Sequence, residues 1–148
     1  MSTRRILANA LGVAAAILVC AVTASAEVDY GLRVGYYTDA EDAFIGGEVL
    51  LPLSDSVRLN PNAEYVLSKD RDQYDLSLDA IYIIPSERSY YLWLGGGATL
   101  FTVNDHTDVF TNFVTGIGLT RESVVPYFQL KIVAKDDAEI VLAFGLRF

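Results

Sequence analysis

The sequence predicts an all-β chain, an eight-stranded antiparallel up-and-down barrel that crosses a membrane after export. Three observations carry that expectation. Strand-length segments separated by short polar breaks recur eight times after residue 27. Each segment is about ten residues or longer, whereas strands of soluble sheets run about five or six and a tilted membrane strand needs about nine to eleven. The first residues read as an export leader, with Arg4 and Arg5, an uncharged apolar run from Ala10 to Val22, and small residues at Ala24 to Ala26.

Taken in order, residues 1–26 are expected to be a secretory signal peptide, leaving residues 27–148 as the barrel with Glu27 first. The alternative, an uncleaved anchor, meets an apolar run shorter than the roughly 20 residues a spanning helix needs. Cys20 follows Val19, where a lipoprotein site needs a small residue, so no lipid anchor is expected, and cleavage would discard the one cysteine. Without Arg4 and Arg5, nine of the eleven basic residues face nineteen acids, a net charge of −10. No basic block occurs, which argues against nucleic-acid partners.

The strands are expected at 28–38, 43–53, 57–67, 73–84, 90–103, 109–120, 124–134 and 139–148, with breaks such as "DAED", "SKDRD" and "NDHTD". The first sets Val28, Tyr30, Leu32, Val34 and Tyr36 against Asp29, Gly31, Arg33, Gly35 and Tyr37. The third sets Val57, Leu59, Ala63, Tyr65 and Leu67 against Arg58, Asn60, Asn62 and Glu64. The fourth sets Tyr74, Leu76, Leu78, Ala80, Tyr82 and Ile84 against Gln73, Asp75, Ser77 and Asp79. The seventh and eighth alternate as clearly, while the second, fifth and sixth are blurred. Pro61, in mid-strand, is expected to force a bulge or a break because it has no N–H for the ladder.

Alternation alone does not say which face is inside. A soluble barrel buries the apolar face; a membrane barrel does the reverse. Glycine and charges of both signs on the polar faces, tyrosines toward strand ends on the apolar faces, and the export leader all favour the reverse. An even strand number also puts both chain ends on one side.

On this pattern the chain resembles the small eight-stranded outer-membrane barrels of the OmpA/OmpX type. "IVLAFGLRF" is similar to the C-terminal β-signal of such barrels, on Ile140, Leu142, Phe144, Leu146 and Phe148, and "YLWLGGGATLF" to their glycine-rich strands. The resemblance implies residence in the cell outer membrane after passage through the periplasm. It also implies recognition by the barrel-assembly machinery, with outer-membrane lipids and lipopolysaccharide as partners and a monomer as the expected state.

The candidate site is the lumen. Arg33, Arg58, Lys131 and Arg147 stand against Glu48, Glu64, Asp75 and Asp79 on the polar faces. In eight strands the interior is just wide enough for side chains to fill it, and charges buried there must be paired or wet. A charge-paired plug is therefore expected, rather than a solute pore. Acids gather in the breaks assigned to the outside: Asp39, Glu41 and Asp42; Asp70 and Asp72; Asp105 and Asp108; Asp136 and Asp137. None has calcium-loop spacing, so a solvated rim is expected, with neither metal nor cofactor.

His106, in "NDHTDV", is expected to be a loop residue. It has no serine beside it to act as nucleophile, and no catalytic residue is assigned. "LGGGATLF" lacks the Lys-Ser/Thr of a phosphate loop. The function expected is structural or envelope-interacting. The alternatives are a soluble periplasmic barrel around a small apolar ligand and an outer-membrane lipid-modifying enzyme.

Overall fold

The structure, a computed structural model, describes residues 27–120 and 123–148. The expected signal peptide lies outside the described residues. Eight strands follow one another: β1 (Asp29–Tyr37), β2 (Asp42–Pro52), β3 (Val57–Leu67), β4 (Gln73–Ile84), β5 (Tyr90–Val103), β6 (His106–Leu119), β7 (Val125–Ala134) and β8 (Glu139–Arg147). Each pairs antiparallel with the next, and β8 returns to β1, so the sheet closes with no edge along the barrel. In the closing seam Leu32 lies opposite Leu146 and Val34 opposite Phe144. Tyr30 and Phe148 then exchange backbone hydrogen bonds of 3.0 and 2.9 Å, which ties the last residue into the wall.

One boundary departs from expectation by more than a single residue. β6 begins at His106 rather than Val109, so "NDHTD" is a two-residue hairpin turn and not a longer loop. Asn104 and Asp105 have φ of 46° and 68°, the left-handed pair that a tight hairpin requires and that Asn and Asp tolerate.

Pro61 makes the expected break but no bulge: the β2–β3 ladder is interrupted opposite Val49 and Leu50 and does not slip. The β2–β3 register resumes unchanged on either side, with Glu48 opposite Asn62 and Leu51 opposite Leu59, and β3–β4 pairing runs straight through Pro61 and Leu78. The local reason is a substitute donor. Tyr30 spends its backbone groups on Phe148, so Val49, opposite Tyr30, points its carbonyl at β3, where Pro61 has no N–H. The Asn60 side-chain amide donates to that carbonyl at 3.1 Å.

The barrel is inverted relative to a soluble one. Leu32, Val34, Ile45, Phe113, Phe144 and Phe148 are exposed on the outer wall, with Tyr30, Tyr36, Tyr65 and Tyr82 nearer its two ends. Arg33, Glu48, Asn62, Glu64, Asp75, Asp79, Lys131 and Arg147 are buried inside. A wall of this kind needs lipid rather than water around it. The soluble barrel with an apolar ligand is thereby overturned: its expected apolar interior is the exterior.

The lumen is layered, which the expected charge-filled interior did not include. At the end carrying the β1–β2, β3–β4, β5–β6 and β7–β8 turns, Tyr37, Phe44, Val66, Phe101, Val133 and Val141 form one apolar layer. At the end carrying the chain termini, Leu50, Ile81, Trp93, Val114 and Tyr127 form another. Edge-to-face ring pairs, Tyr37 with Phe44 at 5.3 Å and Trp93 with Tyr127 at 5.7 Å, hold each layer together. Glycines give the rings room: a Cβ on Gly116 would collide with the Trp93 indole, and one on Gly145 with the Tyr127 ring.

Candidate functional site

Between the apolar layers lies a belt of buried polar side chains drawn from all eight strands. Its construction follows from strand geometry. Every second residue points inward, and in so narrow a barrel side chains from opposite walls meet at the axis.

Two glutamates organise the cations. Glu48 on β2 accepts from Arg147 Nε at 2.7 Å and from Asn60 Nδ2 at 3.0 Å, with Arg33 Nη1 at 3.7 Å. Glu64 on β3 accepts from Arg33 Nη2 and from the Tyr37 hydroxyl, and Lys131 Nζ stands 3.4 Å away. Arg33, reaching from β1, thus bridges both glutamates. Lys131 reaches from β7 and also donates to Ser77 Oγ at 3.1 Å.

Two aspartates on β4 are held differently. Asp79 accepts from the side-chain amides of Asn62 and Asn112, at 2.9 and 2.8 Å. Asp75 meets the Tyr37 hydroxyl and, more loosely, Gln73 Nε2 at 3.4 Å. Neither forms an ion pair among the described residues. Tyr37 therefore joins the Glu64 group to the Asp75 group, and Asn62, which also accepts from Arg33, joins the Glu64 group to Asp79.

Arg147 anchors the closing strand. Its guanidinium lies 4.5 Å from the Trp93 ring centre and 4.2 Å from that of Tyr127, within the range of cation–π attraction. Its Nη1 donates to the Tyr91 hydroxyl at 3.3 Å. The cation links the belt to the apolar layer at the terminal end.

Seven of the eight expected lumen charges meet in this belt; Arg58 does not. Its guanidinium donates to the backbone carbonyls of Ser54 and Asp55 in the β2–β3 turn. The face was read rightly, but Arg58 lies one residue inside its strand, close enough to the rim to fold back on the turn. Tyr37, Asn60, Asn62, Gln73 and Asn112 were missing from the expected set, although each sits at an inward-facing position of its strand. Counting charges alone leaves out the neutral donors that hold a carboxylate.

At the opposite mouth, Lys135 in the β7–β8 turn lies 3.9 Å from the Phe101 ring centre and 3.7 Å from Glu139. Glu139 in turn accepts from the Asp39 N–H at 2.9 Å. Among the acids of this rim, Asp42 pairs with Arg71 at 2.8 Å. No group of three His, Cys, Asp or Glu converges among the described residues. His106 is a strand residue with its side chain 83% exposed, 3.7 Å from Asp108, while the neighbouring Thr107 hydroxyl pairs with that of Thr102 on β5 at 3.0 Å. Ile140, Leu142, Phe144, Leu146 and Phe148 all point outward from β8 and its end, opposite in sense to Arg147.

No family model matches the chain, and no curated protein does. Solved structures do. The N-terminal β-barrel domain of Pseudomonas aeruginosa OprF is similar with a TM-score of 0.70 at 17% identity, over 82% of this chain and 95% of that one. A de novo designed transmembrane β-barrel has a TM-score of 0.66 at 12% identity, over 82% and 92%. The outer membrane enzyme PagL has a TM-score of 0.55 at 12% identity, over 81% and 98%. The fold is therefore that of the small eight-stranded outer-membrane barrels. A natural barrel domain, a designed barrel and an enzyme share it, so function has to be argued from side chains.

Proposed function

We propose that this chain is a small outer-membrane barrel without catalytic activity, exported through the periplasm and acting as a closed structural element of the envelope. The observation that carries the proposal is the stacking of apolar layer, polar belt and apolar layer along the lumen. Open aqueous channels belong to barrels of about sixteen strands or more, and this interior is filled at three successive levels. Against catalysis stand the exposure of His106 and the engagement of the adjacent Thr107 hydroxyl with Thr102.

In this reading the chain termini lie on the periplasmic side. The acidic turns then face outward among lipopolysaccharide head groups, and the outward row from Ile140 to Phe148 serves as the segment recognised by the barrel-assembly machinery before it becomes lipid-facing wall. The protein acts as a monomer.

Outer-membrane fractionation with a heat-modifiability gel tests the proposal. The expected result is a membrane-fraction band that migrates differently before and after boiling in SDS. A protein found in the soluble periplasmic fraction would contradict it. Phe148→Ala should lower the outer-membrane yield and raise degradation, and normal insertion would remove the sorting role.

A further inference from the structure

The wall is closed along the barrel but not at the tip of its longest hairpin. β5 and β6 pair from Tyr90–Leu119 up to Val103–His106, whereas β6 and β7 pair no further than Thr111 and Ala134. Residues 106–110 therefore run about 16 Å beyond the last β7 partner. Val103 and His106 close a two-residue turn and so form a hydrogen-bonded pair. By alternation Thr107 and Val109 turn their N–H and C=O groups away from β5, and among the described residues no backbone group meets them. β4 covers the other side of the hairpin up to Gln73 and Val103, and Asn104 N–H bonds to the Asp72 carbonyl at 3.0 Å. The uncovered edge belongs to β6 alone.

The surroundings define what fits. Asp105 and Asp108 on the hairpin and Asp136 and Asp137 in the β7–β8 turn are exposed around the edge. The nearby cation, Lys135, is already engaged with Glu139 and Phe101. Val109, 65% exposed, offers apolar surface on the outward side.

We propose that the β6 edge at 107–110 accepts an extended, basic polypeptide segment of a partner protein by strand addition. Backbone hydrogen bonds to Thr107 and Val109 supply the register, and basic residues at alternate positions meet Asp108 and the neighbouring turn acids. Apolar residues between them cover Val109. Two features weigh against a second copy of this chain as the occupant: its charge is repelled by a second acidic edge, and the edge is short.

The proposal rests on the orientation given above only for the side of the membrane on which the partner would be met. In phosphatidylcholine nanodiscs both ends are accessible, so binding there reads the edge itself, while protease access on whole cells reads the orientation separately. The probe is a blocked heptapeptide of alternating lysine and valine, compared with the same peptide N-methylated at two adjacent central residues, which keeps the charge but blocks both strand edges. The unmodified peptide should bind and slow hydrogen exchange of the Thr107 and Val109 amides, and the methylated one should bind roughly tenfold more weakly. Val109→Pro, at an edge position that tolerates proline, should abolish binding with heat-modifiability unchanged. Equal binding of both peptides would reduce the effect to charge attraction and overturn the proposal, as would unaltered exchange at Thr107 and Val109 in the unsubstituted protein, a measurement that stands even if the proline variant fails to fold.

Discussion

The four carboxylates buried in the belt divide into two kinds. Glu48 and Glu64 each face cations, from β8, β1 and β7, whereas Asp75 and Asp79, both on β4, are held by hydroxyl and amide groups. All four are acids on the inward face of a strand, equally buried, and nothing in their local sequence separates them. The difference lies in what the opposite wall supplies. A carboxylate facing a fixed arginine is half of an ion pair, and removing it strands a buried cation without a counter-charge. A carboxylate held by amides can be exchanged for a neutral group of the same shape.

The largest expected effect breaks the first kind. Glu48→Gln leaves Arg147 and part of Arg33 without a counter-charge and should destabilise the folded barrel by about 3–5 kcal/mol. Urea unfolding in lipid, followed by fluorescence of Trp93, the sole tryptophan, measures it directly because that ring lies beside Arg147. A loss below about 1 kcal/mol, the size of a single net hydrogen bond, would erase the distinction between the two kinds of acid.

Next comes the apolar layer that Arg147 leans on. Gly116→Ala would press a methyl group into the Trp93 indole and should cost about 1–3 kcal/mol through overpacking, with a shifted Trp93 emission as its signature. Retained stability with unshifted emission would mean that the layer is looser than its ring contacts indicate.

Asp79→Asn sharpens the comparison from the other side. It keeps an acceptor for one of the two amides, so the expected loss is about 1 kcal/mol, read in the same unfolding assay. A loss matching that of Glu48→Gln would show that Asp79 is as deeply tied to the belt cations as Glu48. The smallest effect is expected for Arg58→Ala, under about 0.5 kcal/mol as at an ordinary surface position. A larger loss would return Arg58 to the lumen network.

The wall was far more legible in the sequence than what fills it. Period-2 alternation reports which residues share a face, and strand length reports that the face meets a membrane, so β3, β4 and β5 were read with the bounds the structure has. The blurred strands have a physical cause. β2, β5 and β6 carry Phe44 and Leu50, Trp93 and Phe101, and Phe110 and Val114 inward, so both of their faces are apolar near the strand ends and the alternation disappears where the lumen layers begin. Position along the strand, rather than face alone, would have revealed those layers. The pairing of Glu48 with Arg147, 99 residues apart, is set by barrel closure, which no local pattern encodes. The hairpin turn was missed because Asn104-Asp105 lacks the glycine that usually marks such turns.

Belt and layers together fill the lumen at three levels, which under the proposed function leaves no path for solute or ions. The most direct measurement is the conductance of purified, heat-modifiable protein reconstituted in planar lipid bilayers. The expected result is a baseline without resolved openings. Discrete, reproducible conductance steps that track the amount of folded protein would contradict a closed lumen and turn the belt from a plug into a path.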